Sequence, residues 1–292
     1  MGTVVTFQDV VERFSRSRRA QTMLAAWRQD VRRVEVAPAV MAHRADVVQQ
    51  PSSTDVEDLC RRTEHALGEV RRRDVASIES IRDWTTPFAT MHVLHFVTEH
   101  SGQLPTWEEF RSAVEEPPFR SMSRDPADVA VQQAIAEGHP PAAVRGAMRW
   151  RIGNFYYSFL REQYVQAVLR DEGHDVRQHP LADVLFRVDF WIGDTNFDLF
   201  IGNHFFRDGA EGRKLSSQVI LADAVPPFRV RTMQLPTEHV FGRVHLPSRE
   251  VIIRAAEELM AEPPDLEQPP TGTTSGEEPE SPEDEGPAED ER

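Results

Sequence analysis

The chain has 292 residues, a formal net charge of −15 and one cysteine, Cys60. That length allows one large domain or two modest ones with a real hydrophobic core. A single thiol excludes a disulfide framework and a thiolate zinc site within the chain. The charge is concentrated at one end: residues 262–292 hold twelve acidic residues and one basic residue, a net −11, which leaves −4 for residues 1–261.

In chain order, the stretch from Thr6 to Trp27 places Phe7, Val10, Val11, Phe14, Met23, Leu24 and Trp27 at helical spacing. Arg13, Arg16, Arg18 and Arg19 occupy its polar positions. After the polar stretch from Gln49 to Thr54, a second helix is expected with Thr54 or Asp55 as its cap, ending in the run Arg71, Arg72, Arg73. Acidic residues are interspersed with these arginines, which favours a solvated helix face over a phosphate-binding patch.

A helix from Phe88 to His100 is predicted to end at Gly102, and a new one to start at Thr106 with a Thr106/Glu109 capping box. Helix, short turn and helix is also the grammar of a DNA-reading motif. Here the second helix carries Glu108, Glu109, Glu115 and Glu116 against Arg111, so packing is the better reading.

A proline-rich loop then leads into a strong helix from about Ala142 to Asp171, closed by Gly173. Beyond it the pattern changes to strands: DVRQHP, DVLFRVDFWIG, TNFDLFIGN, SSQVILADA, PPFRVRTMQLP and HVFGRVHLP. A last helix spans Ser248 to Met260. The acidic tail has a single leucine and no aromatic residue, too little apolar surface to offset chain entropy, and is expected to be disordered. The expected organisation is a helical region over 1–141, an α/β domain over 142–261 and the tail over 262–292. No N-terminal export signal is visible, and the longest uncharged stretch, Pro87 to Thr98, is too short to span a bilayer. A cytoplasmic bacterial-type protein without a membrane partner is expected.

The chemistry concentrates in FRVDFWIGDTNFDLFIGN, from Phe186 to Asn203, where Asp189 and Asp198 each interrupt an apolar strand joined by a tight turn. A carboxylate in a buried strand is costly unless a cation or hydrogen-bond donor meets it. Glu162, on the preceding helix, is placed to join them, and three carboxylates without clustered thiols or imidazoles favour Mg²⁺ or Mn²⁺. Lys214, the chain's one lysine, follows and would orient water or neutralise developing charge. The competing reading is structural. Asp189 would pair with Arg187, Arg161 or Arg177, and Asp198 would cap the turn with Thr195 and Asn196. Tyr156, Tyr157 and Trp191 read as core rather than as base-stacking platforms, and His92, His95 and His100 lack the spacing of a catalytic zinc site.

From about 154 to 221 these motifs resemble the PD-(D/E)XK nuclease superfamily. A helix glutamate precedes YVQAVLRDEGHDV, then come RVDFWIG and FDLFIG. The resemblance implies a helical N-terminal region followed by a restriction-endonuclease-like mixed-sheet domain that cleaves DNA phosphodiesters, in defence, repair or mobile-element biology. Glu162 is similar to the helix acid, Asp189 to the first strand acid and Asp198 to the second, together binding Mg²⁺ or Mn²⁺. Two residues after Asp198 the family carries lysine and this chain carries Phe200, so the resemblance leaves that role to Lys214. The alternative is a non-catalytic assembly factor of the same fold that binds nucleic acid or a protein partner.

Overall fold

The computed structural model describes residues 3–69, 78–202, 216–237 and 239–261. The arginine run 71–73, Lys214 and the acidic tail lie outside the described residues. Within them the protein is a mixed α+β structure in which small sheets are embedded among helices.

Side-chain caps set several of the helix boundaries. Helix α1 (Phe7–Phe14) follows β1 (Val5–Thr6) through a Thr6/Asp9 capping box. Helix α2 (Arg18–Gln29) restarts at Ser17, whose hydroxyl accepts from the Ala20 N–H at 3.0 Å. The continuous helix expected from Thr6 to Trp27 is therefore broken. The Ser17 hydroxyl also donates to Ile220 O (2.9 Å) or Asp223 (2.5 Å), a tertiary tie that anchors the break.

Helix α3 (Val36–Ala42) leads to β2 (Arg44–Ala45), antiparallel to β1. Helix α4 (Ser53–Arg62) begins at a Ser52/Asp55 capping box, earlier than predicted, and stops at Thr63 rather than running on to the arginines. A short α5 (Glu79–Arg82) precedes α6 (Thr90–Ser101), which Gly102 closes in the left-handed conformation at φ 72°. Helix α7 (Trp107–Ala113) opens with the Thr106/Glu109 box and buries Trp107 and Phe110 in the core, the packing role expected of it. Helix α8 (Asp125–Ala136) then leads to the 31-residue α9 (Pro141–Asp171).

After α9 come β3 (Val176–Arg177), α10 (Pro180–Phe186), β4 (Phe190–Ile192), β5 (Thr195–Ile201), α11 (Ser217–Leu221) and β6 (Arg229–Leu235). The hairpin β7 (His239–Phe241) and β8 (Val244–Leu246) and the helix α12 (Arg249–Ala261) complete the described fold. Two segments predicted as strands are helical. Pro180–Phe186 starts at an N-cap, His179 Nδ1 accepting from the Leu181 N–H at 3.1 Å, with proline at the first helical position. Ser217–Leu221 is capped by Ser216, whose hydroxyl accepts from the Val219 N–H.

The four-stranded sheet has the order β3-β4-β5-β6. Strand β4 is antiparallel to β3 and β5, whereas β6 is parallel to β5, with Asp198 opposite Thr232. A parallel neighbour needs a crossover rather than a hairpin, and α11 lies within that connection. Phe190 and Phe197, paired across β4 and β5, stack at 4.7 Å between ring centroids and bind the hairpin to the core.

The main core draws on residues from Val5 to Ala256, so the N-terminal helices and the sheet share one interior. A smaller cluster, including Ile81, Val131, Val144 and Met148, joins α5 and α8 to the first half of α9.

Candidate functional site

The acidic residues meet where α9, the end of α10 and the β4–β5 hairpin come together. Arg187 ends α10 at φ 61°, ψ 36°, the one positive φ outside glycine among the described residues, and turns the chain toward β4. Asp189 stands just before β4. Its N–H donates to Phe197 O at 3.0 Å, and its Oδ2 accepts from the Leu199 N–H at 2.5 Å. The carboxylate thus completes the ladder where the β4 backbone is not yet in register. On β5, Asp198 Oδ2 accepts from the Ser217 hydroxyl at 2.7 Å, while Oδ1 is buried without a hydrogen-bond partner.

Glu162, Asp183, Asp189 and Asp198 are each half-buried. Burial holds the Glu162 carboxyl well above the ordinary range, and the neighbouring Asp189 and Asp183 push it further. Asp189 is also held well above it, first by burial and then by Asp183. The Leu199 N–H opposes this shift, Asp198 adds to it and Arg187 opposes it. Burial raises Asp198 to about 6, against the Ser217 hydroxyl and Arg187. Neighbouring carboxyls that raise one another in this way favour a shared proton or a cation between them.

Among the described residues no three Asp, Glu, His or Cys side chains are placed to hold one metal ion. Glu162, Asp189 and Asp198 therefore share an electrostatic neighbourhood without forming the three-ligand cage that the sequence suggested. What remains is one carboxylate just before β4 and one on β5, with Asp198 Oδ1 uncommitted. Such an oxygen donor set fits Mg²⁺ or Mn²⁺, since Mg²⁺ is commonly held by one or two carboxylates beside water and phosphate. Lys214 cannot be placed in this geometry because it lies outside the described residues.

The structural alternatives resolve differently from their sequence form. Arg161 donates to His245 O and Arg177 pairs with Asp175, so neither is the partner of Asp189. Asp198 bonds to α11 rather than capping the turn. Tyr156, Tyr157 and Trp191 are buried, which removes them as base-stacking platforms. His92 and His95 lie in the interior near His43 and His179, whereas His100 packs on Phe119.

Arg187, named in the sequence as a partner for Asp189, does act electrostatically on it and on Asp198. Two residues escaped the sequence reading: Asp183, hidden when α10 was read as a strand, and Ser217, hidden when α11 was. The signal for the first was available in His179–Pro180, a cap followed by an N1 proline. No family model, curated protein or solved structure matches the chain.

Proposed function

We propose that this protein is a metal-dependent nuclease of the restriction-endonuclease-like class, or a degenerate relative, acting on DNA phosphodiesters. One observation carries the reading: the Glu162 carboxyl on α9 feels that of Asp189, just before β4, and Asp189 in turn feels Asp198 on β5. The order of α9 before β4 and β5 in a mixed sheet supports this reading.

In this reading Asp189 and Asp198 hold Mg²⁺ or Mn²⁺. Such an ion, when bound, supplies positive charge to a phosphoryl oxygen and acidifies a water molecule. Burial and the neighbouring Asp189 raise the Glu162 carboxyl, and positive charge entering the site would oppose that shift. Arg187 balances part of the negative charge. By the resemblance, Lys214 orients the attacking water.

A second reading is favoured by the Oδ2 atoms of Asp189 and Asp198, already engaged by Leu199 and Ser217, and by exposed Phe200 at the family's lysine position. In it the fold is retained to bind nucleic acid or a protein partner without cleavage. The test is Mg²⁺- or Mn²⁺-dependent cleavage of DNA and RNA by wild type and Asp189→Ala. The nuclease reading expects wild-type cleavage that falls on the order of a hundredfold or more in the variant. Equal activity in both, or DNA binding without cleavage, refutes it.

A further inference from the structure

Another part of α9 gathers positive charge that the proposed nuclease chemistry does not use. Arg149, Gly153, Tyr157 and Arg161 recur every four residues and form one ridge of the helix. Gly153 lets the turn after α4 lie directly on this ridge: a Cβ there would stand 2.8 Å from the Ala66 backbone. Arg149 donates to His65 O at 2.7 Å and Ala66 O at 3.1 Å. The Tyr157 hydroxyl accepts from the Ala66 N–H at 3.0 Å and lies 2.9 Å from His65 Nδ1. One turn further, Arg161 Nε donates to His245 O on β8 at 2.9 Å.

The β7–β8 turn brings a third guanidinium to the same place. Gly242, at φ 57°, presses against α4 so closely that a Cβ would lie 2.6 Å from Cys60 O. Arg243 follows it, exposed on the turn. Arg149, Arg161 and Arg243 all act electrostatically on Tyr157, and Arg149 and Arg243 also act on His65.

Among the described residues, little negative charge answers them. Besides its burial, Arg161 feels chiefly Tyr157 and Cys60. Both are neutral at pH 7, since burial raises the Tyr157 phenol and pushes the Cys60 thiol up to about 12. Among the described residues, the acid acting on His65 is Glu69. A partly buried guanidinium with neutral neighbours, acting on the same Tyr157 hydroxyl as Arg149 and Arg243, is a poor arrangement for stability and a good one for an anion.

We propose that Arg149, Arg161 and Arg243, gathered around the Tyr157–His65 pair, form a binding site for a phosphate group. Arg161 commits its Nε to the protein and keeps its terminal nitrogens for the ligand, and exposed Arg243 closes from the hairpin side. Phosphate suits three guanidiniums better than a carboxylate does, because it offers more oxygens and up to two negative charges. The phosphate belongs either to a small monoester or to a nucleic-acid backbone.

The experiment uses the full chain without divalent cation, so its outcome is independent of nuclease activity. Inorganic phosphate, a short deoxyoligonucleotide and, as an ionic-strength control, KCl are titrated in turn. The midpoint of thermal unfolding and the NMR resonance of the His65 ring are followed. Phosphate is expected to raise the midpoint saturably and to shift the His65 resonance. Arg243→Gln, on an exposed turn, is expected to leave the ligand-free midpoint unchanged and to weaken phosphate binding about tenfold or more. Oligonucleotide binding lost in the same variant assigns the site to a nucleic-acid backbone, and phosphate binding alone assigns it to small phosphate esters. A response no larger than that to KCl, or identical titrations for wild type and Arg243→Gln, overturns the proposal.

Discussion

Asp198 shows how a single carboxyl carries both a cost and a use. Its folded-state value of about 6 lies above the ordinary 3.8, so the folded protein holds this proton more tightly than the unfolded chain does. The favourable contribution is present below the lower value and is lost as pH rises through the upper one. At neutral pH the ionised form costs on the order of 1–2 kcal/mol once solvent screening is allowed for. Asp198→Asn keeps an acceptor for Ser217 and removes the charge. Denaturant unfolding should find the variant more stable than wild type at neutral pH, by about that amount, and nearly equal to it near pH 4. A variant less stable at neutral pH would mean that a cation already balances Asp198. The buried histidines act in the opposite sense. Burial drops His92 and His179 to about 4 and His43 to about 3, so their contribution is present above the ordinary 6.5 and is lost as pH falls.

At the scale of elements, α9 is held to its neighbours by close approach as much as by apolar area. Replacing glycine by alanine inside a helix ordinarily gains about 1 kcal/mol. Gly153→Ala is expected to reverse that sign and cost about 1–3 kcal/mol, because the new methyl would meet the Ala66 backbone at 2.8 Å. Comparing urea midpoints of wild type and variant measures it, and a stabilised variant would show that the turn yields freely.

The features of this architecture that were legible in the sequence are those that depend on local chemistry. The Thr106/Glu109 box, the stops at Gly102 and Gly173, the length of α9 and the β5 strand all follow from neighbouring residues. The interruption at Ser17 was not legible, since it is secured by Ile220 and Asp223 about two hundred positions away. Helices α10 and α11 were misread because short apolar runs look alike in either conformation, and only their caps distinguish them. The same limit divided the acidic site. Glu162, Asp189 and Asp198 stood out as charges within apolar patterns, whereas Asp183 and Ser217 became neighbours only through the helices that present them.

For the molecule as a whole, the boundary suggested by pattern near residue 141 coincides with the start of α9, yet the interior does not divide there. Helix α9 is about 46 Å long. Its first half closes the smaller cluster and its second half lies in the main core. Arg13 on α1 reaches across to Asn196 Oδ1 at 2.6 Å and to Gly193 O at 2.7 Å, so an N-terminal helix holds the hairpin that carries the acidic site.

That shared interior has a consequence for the continuity of the backbone itself. If the chain is made as two polypeptides parted at His139–Pro140, each inherits apolar faces that only the other can cover. The two pieces, co-expressed, should copurify as one assembly and melt in a single transition, whereas either piece alone should aggregate. Two pieces that stay soluble separately would show that the interior can be parted. The peptide link between α8 and α9 would then be a means of delivering both pieces together, rather than a connection the folded protein relies on.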